Sequence, residues 1–177
     1  TYYDYPRAYK MIDELQPQAV IFSDGGPGCR WVGNENGFAG ATNWSFLRAG
    51  EVYPGYPKYR ELQYGHADGN QWVAAECDVS IRPGWFYHPE EDDKVKTVDQ
   101  LTDLYYRSVG HNATLLLNFP VDRNGLIHPT DSLNAVSFHQ RVQKELADNL
   151  LSSAKVSASD ERGGQFKVRG VTDGKYD

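Results

Sequence analysis

The 177 residues are 40% hydrophobic and 24% charged, a globular composition that excludes a disordered tail. Lys and Arg number 18 against 24 Asp and Glu, and the net charge of -6 disfavours broad contact with a nucleic-acid backbone. No apolar run approaches the roughly 20 residues that span a bilayer, so a neutral or polar ligand is expected.

Tyr5, Ala8, Ile12 and Leu15 recur at helical spacing with Pro6 at the start, which predicts a helix over 5–15. Ala19-Val20-Ile21-Phe22 reads as a short buried strand that ends on Ser23-Asp24 and opens into the turn-rich Gly25-Gly26-Pro27-Gly28. From there to about Asn70 the chain is Gly- and Tyr-rich and weakly periodic, the pattern of a long functional loop. A second strand is expected over 72–81, carrying Glu76 and Asp78 and broken by Arg82-Pro83-Gly84. Thr97-Val98-Asp99-Gln100 has the form of a capping box, and the helix behind it places Val98, Leu101, Tyr105 and Val109 on one face. An uncharged strand over 113–119 carries Asn118 and is closed by Pro120. A third helix is expected from about 130 to 150, and after Ser152 the composition turns polar and Gly-rich.

This order is a run of βα units whose strands are continuous apolar stretches, as in a parallel α/β sheet covered on both faces. In barrels of that kind chemistry gathers where strands end, and Asp24, Glu76 and Asn118 stand at three such ends. Three strands do not close an eight-stranded barrel, which takes about 250 residues. The expectation is therefore half of a barrel or a small open sheet.

All four Trp (Trp31, Trp44, Trp72, Trp85) and nine of the twelve Tyr lie in the first 87 residues, and flat apolar rings suit the C–H face of a sugar. Glycoside hydrolysis needs two carboxyl groups across the scissile bond, and the candidates are Asp24, Glu35, Glu76 and Asp78. Glu35 sits near Trp31, a setting that suits a general acid, though a solvated loop position is the plainer reading of the residue alone. Asp24 also fits a turn-capping aspartate. Glu76 and Asp78 alternate along a strand and share one face, where an ion pair with Arg82 or Arg30 is the plain explanation. Other chemistries have less support. The five His lack zinc-ligand spacing, no Ser lies in a nucleophile elbow, and the loop from Gly25 to Gly28 lacks the Lys-Ser/Thr ending of a phosphate loop. Cys29 and Cys77 are too few for a disulfide framework and do not sit at metal-finger spacing, and neither metal nor cofactor is expected. Asn43-Trp44-Ser45 and Asn112-Ala113-Thr114 match the N-glycosylation triplet but carry no weight alone.

Three blocks, from Ala19 to Asp24 through Arg30-Trp31-Val32-Gly33-Asn34-Glu35, from Ala75-Glu76-Cys77-Asp78 to Trp85-Phe86-Tyr87-His88, and from Ser108-Val109-Gly110-His111-Asn112 to Asn118-Phe119-Pro120, resemble family 29 glycoside hydrolases, the retaining α-L-fucosidases. They are most like the branch acting on α-1,3 and α-1,4 linkages, although relatives carry Asp where this chain has Gly28. The resemblance implies that residues 1–151 are the C-terminal half of a catalytic (β/α)8-like TIM barrel. Residues 152–177 would be a linker and the truncated start of a β-sandwich, with Val171 to Asp177 as its opening. It implies Glu35 as acid/base with Glu76 as its competitor, and substrate contacts from Glu76, Trp85, Arg82, Trp31, Asp24 and Asn118. The family's nucleophile is an Asp in a Trp-x-Asp-Gly-Ala segment upstream of the first helix, and no such segment occurs in these residues. The expected partners are a fucosylated oligosaccharide or glycoconjugate and the missing N-terminal half of the barrel, in a secreted or periplasmic setting. The runner-up is a non-catalytic carbohydrate-binding module, for which antiparallel strands and a shallow Trp platform would speak.

Overall fold

The computed structural model describes residues 3–164 and 166–174. Asp4 accepts a hydrogen bond from Arg7 N at 3.1 Å and Pro6 sits in the first turn, so α1 runs over Tyr5–Leu15, the stretch its periodicity predicts. None of its residues is buried. There follow β1 (Phe22–Ser23), β2 (Cys29–Trp31), β3 (Phe46–Leu47), β4 (Gln71–Trp72), β5 (Ala74–Ser80), α2 (Val98–Ser108), β6 (Ala113–Asn118) and α3 (Pro129–Glu145).

Four strands form one sheet in the order β1-β2-β5-β6, and every pairing is parallel. The stretch after Gly28 is thus not all loop. Arg30 and Trp31, expected in the long irregular segment, lie on a strand between β1 and β5, in register with Ala75 and Glu76. Three residues are too short to display a period, and the strand forms because neighbours on both sides satisfy its backbone. The single strand expected over 72–81 is divided: Gln71–Trp72 pairs antiparallel with Phe46–Leu47, and only Ala74–Ser80 enters the main sheet.

Along β5 the side chains alternate. Ala75, Cys77 and Val79 turn to one side and are buried, Ala75 and Cys77 with Val32 and Ala39, Val79 with Ile81, Leu101 and Leu104 of α2. Leu115 and Leu117 of β6 pack on the same cluster. Burying a side chain such as Leu101 contributes about 1.5–3 kcal/mol. The predicted capping box forms, with Thr97 N donating to Gln100 Oε1 at 2.8 Å and Gln100 N to Thr97 Oγ1 at 3.3 Å.

The two candidate glycosylation asparagines are tied to each other. Asn43 Nδ2 donates to the carbonyls of His111 and Asn112, and Asn112 Nδ2 donates to Asn43 O and Ser45 Oγ. Asn112 adopts a left-handed φ of 59°, which Asn tolerates better than most side chains. Cys29 and Cys77 are free thiols.

The chain forms two compact units, Thr1–Phe138 and His139–Asp177. The second contains the end of α3, closed by an Arg141–Glu145 pair at 2.8 Å, then an isolated bridge between Gly163 and Phe166 and a 3-10 turn over Val168–Thr172. Of the expected β-sandwich opening, Lys175, Tyr176 and Asp177 lie outside the described residues. Among the described residues no helix is long and apolar enough to cross a membrane.

Candidate active site

The strand register decides which polar side chains meet. Trp31 pairs with Glu76, Glu76 with Thr114, Asp78 with Leu116 and Ser80 with Asn118, so these residues share the face opposite the buried Ala75, Cys77 and Val79. Both arginines expected to neutralise Glu76 and Asp78 are engaged elsewhere. Arg30 donates to the carbonyls of Leu62 and Val73 and to Asn43, while Arg82 is paired with Asp92 and Asp131. The plain ion-pair explanation for the two carboxylates therefore does not hold, because the guanidinium groups serve the framework of the fold.

Asp78 accepts a hydrogen bond from Trp31 Nε1 at 2.8 Å, which sets the plane of that indole. Burial raises the Asp78 carboxyl above the ordinary range, the Trp31 bond opposes this, and the charge of Glu35 adds to it. Glu76 is 4% exposed and neither of its oxygens has a hydrogen-bond partner. Burial first, then the charge of Asp78, pushes its pKa up to about 7. A carboxyl in that condition holds its proton near neutrality.

Glu35 lies on the loop that follows β2, exposed, with Oε2 accepting from Trp85 Nε1 at 2.9 Å. Trp85 is held in turn by Asn118, whose Nδ2 donates to Trp85 O and to Ser80 Oγ, each at 3.1 Å. The loop turns at Gly33, with φ +78°, where the carbonyl of Tyr59 comes so close that no β-carbon fits. That approach accompanies the stacking of Trp31 on Tyr59, ring centres 6.4 Å apart. Glu35, Trp85, Asn118, Trp31, Asp78 and Glu76 thus form one connected group.

Two expected site residues stand apart from it. Asp24 Oδ2 accepts from Gly55 N at 2.7 Å and Tyr56 N at 3.2 Å, the turn-anchoring role its position also suggested. Arg82 is fully buried, bidentate on Asp131 at 2.8 and 2.9 Å, 2.9 Å from Asp92, and lies over the Tyr87 ring. Ser80 and Tyr59 join the group without having been singled out, since a lone Ser or Tyr carries no spacing signal. The shared face of Ser80 with Glu76 and Asp78 is the one clue that was available.

The folded state keeps the Glu76 proton up to about pH 7, whereas an unfolded Glu loses it near 4.3. Native protein thus binds the extra proton between those values, and stability falls as pH rises through that window. Glu76→Gln removes this cost. Urea unfolding is expected to show the variant gaining roughly 2–3 kcal/mol on the parent between pH 4 and pH 8; a difference independent of pH would mean that Glu76 is not held neutral.

No family model matches the chain. Against curated proteins it is 44% identical over 162 residues to alpha-L-fucosidase 1 of Arabidopsis thaliana, a match covering 89% of this chain and 31% of that protein. It is a homologue of the family 29 α-L-fucosidases. Solved structures agree with this relationship. A glycoside hydrolase 29 family member from a rumen bacterium is 46% identical with a TM-score of 0.82, covering 91% of this chain and 29% of its own. The structure named SpGH29 is 33% identical with a TM-score of 0.89, covering 98% and 38%. The chain therefore spans about a third of the length of the fucosidase relatives it matches.

Proposed function

We propose that this chain is the acid/base half of a retaining α-L-fucosidase that releases fucose from fucosylated glycans. In this reading residues 1–151 are the C-terminal half of a (β/α)8 barrel, the stretch from 152 begins a β-sandwich, and the nucleophile Asp comes from a preceding strand. The observation that carries it is the Glu35–Trp85–Asn118 chain beside the Trp31–Asp78 pair, a loop-borne acid set among indoles at one edge of a parallel sheet. Four parallel strands also speak against the non-catalytic module, which called for an antiparallel sandwich.

Glu35 protonates the glycosidic oxygen as the bond to fucose breaks, then takes a proton from the water that releases the fucosyl enzyme. Its exposure lets it reach the leaving oxygen, and the Trp85 bond aims it. Trp31 and Trp85 offer flat faces to the apolar side of the sugar. Glu76, protonated near neutral pH, donates a hydrogen bond to a fucose hydroxyl and avoids burying a bare charge beside Asp78. Asp78 acts by holding the Trp31 indole, and Asn118 by holding the backbone of Trp85. Asp24 and Arg82 support the site from behind, through the 53–56 loop and the turn after β5. The setting is secreted or periplasmic, and the mechanism calls for no metal or cofactor.

A polypeptide joining this chain to the preceding half-barrel is expected to hydrolyse an aryl α-L-fucoside with the α-anomer as first product by proton NMR. The 177 residues alone are expected to give no turnover. Turnover by the chain alone, abolished by Asp24→Ala, would place the nucleophile at Asp24 and overturn this division of labour.

A further inference from the structure

One strand over from Glu35, a second concave site is built from tyrosines. Tyr3, Tyr5 and Tyr9 at the start of α1 face Tyr53 across a floor of Gly25 and Gly26, enclosing about 270 Å³. Tyr3 is exposed, and Tyr5 and Tyr9 are half-buried. Tyr3 and Tyr5 lie 6.0 Å apart between centres and Tyr5 and Tyr9 6.2 Å apart, tilted to each other. We propose that this groove binds a neutral pyranose ring of the glycan that carries the fucose, an inference that rests on the fucosidase reading above.

The lining, the size, the rigidity and the location of the groove point to that occupant. Every lining side chain is aromatic, aliphatic or proline, with glycine beneath and no charged group among them, which disfavours phosphates, sialic acids and charged peptides. Phenol rings present flat faces for sugar C–H groups and hydroxyls at the rim for sugar OH groups. The volume lies at the small end of ligand sites and suits a single ring better than an extended chain.

The walls are also fixed beforehand. Asp24 Oδ2 holds Gly55 N and Tyr56 N, Tyr53 packs edge-on against Tyr56 at 6.0 Å, and Tyr9 Oη bonds Ser23 Oγ, which donates to Gly26 O. A β-carbon at Gly25 would stand 2.7 Å from Val52 O, so the floor is closed to larger residues. A site ordered in advance binds at lower entropic cost. Finally, the groove lies at the same edge of the sheet as the candidate active site. Asp24 to Gly26 follow β1 at the sheet edge where the Glu35 loop leaves β2, and the segment carrying Tyr53 and Tyr56 runs on to Tyr59, which stacks on Trp31.

The test uses the polypeptide that joins this chain to the preceding half-barrel, isotope-labelled, and titrates it separately with lactose, L-fucose and a proline-rich peptide, following amide and indole resonances. Lactose is expected to move Tyr5, Tyr9, Gly25 and Gly26 at millimolar concentration, with Tyr53→Ala weakening it about 3–10-fold, Tyr53→Phe weakening it less because the ring remains, and Glu35→Ala leaving it unchanged. L-fucose is expected to move the Trp31 and Trp85 indoles, which reports on the fucosidase reading separately. Lactose inert at the groove up to tens of millimolar overturns the inference whatever fucose does. Binding of the proline-rich peptide alone overturns it in favour of a peptide site.

Discussion

Glu35→Ala, placed in a polypeptide that carries the whole barrel, is expected to lower turnover of natural fucosylated glycans by about 10²–10⁴-fold, the usual worth of general-acid assistance. A sugar leaving group departs as a strongly basic alkoxide unless a proton arrives with bond breaking. A nitrophenolate leaves without that help, so an aryl fucoside should lose far less at the fucosylation step. Loss of the base then slows hydrolysis of the fucosyl enzyme, and azide, which needs no deprotonation, is expected to restore turnover and give fucosyl azide. Glu76→Ala should instead raise KM or misalign the sugar without azide rescue, because Glu76 is buried beneath the site rather than exposed at its edge. Rescue of Glu76→Ala and not of Glu35→Ala would reverse the two roles. Trp85→Phe offers a finer check: it keeps a ring but removes the Nε1 bond to Glu35, and its loss should fall on kcat with poor leaving groups.

Asp131→Ala is expected to cost about 3–5 kcal/mol of folding stability, measured by urea unfolding. Asp131 and Arg82 are each 0% exposed and joined by two hydrogen bonds, so removing the carboxylate leaves a guanidinium buried with only Asp92 as a charged partner. The pair joins the turn after β5 to the first turn of α3. Replacing both members with apolar residues, Arg82→Met with Asp131→Leu, is expected to recover much of the loss, because the penalty comes from the orphaned charge rather than from an absent attraction. A change below about 1 kcal/mol for Asp131→Ala would show that water reaches the site and that the pair is of the weak surface kind.

The elements with a strong local signal were legible in the sequence. α1 has a full set of i, i+3, i+4 apolar positions and a proline at its start, and α2 has a capping box whose two hydrogen bonds join residues three apart. β6 is long enough to show an uncharged, largely apolar run, and in β5 the alternation that puts Glu76 and Asp78 on one face follows from strand geometry alone. Glu35, Trp31, Trp85 and Asn118 were reachable as candidates because they sit in compact blocks beside strand ends.

Tertiary structure decided everything that depends on partners distant in the chain. β2 exists because β1 and β5 supply its hydrogen bonds on both sides, and three residues have no pattern of their own. Arg82, expected at the substrate, turns instead to Asp131, 49 positions later, since a buried guanidinium needs a carboxylate and the fold places one there. Asp24 holds a loop 31 residues away, and the indole of Trp31 meets Asp78 across 47 residues. Residue type and spacing determine which groups are able to do chemistry; burial and long-range pairing determine which of them remain available for it, and those are properties of the packed chain.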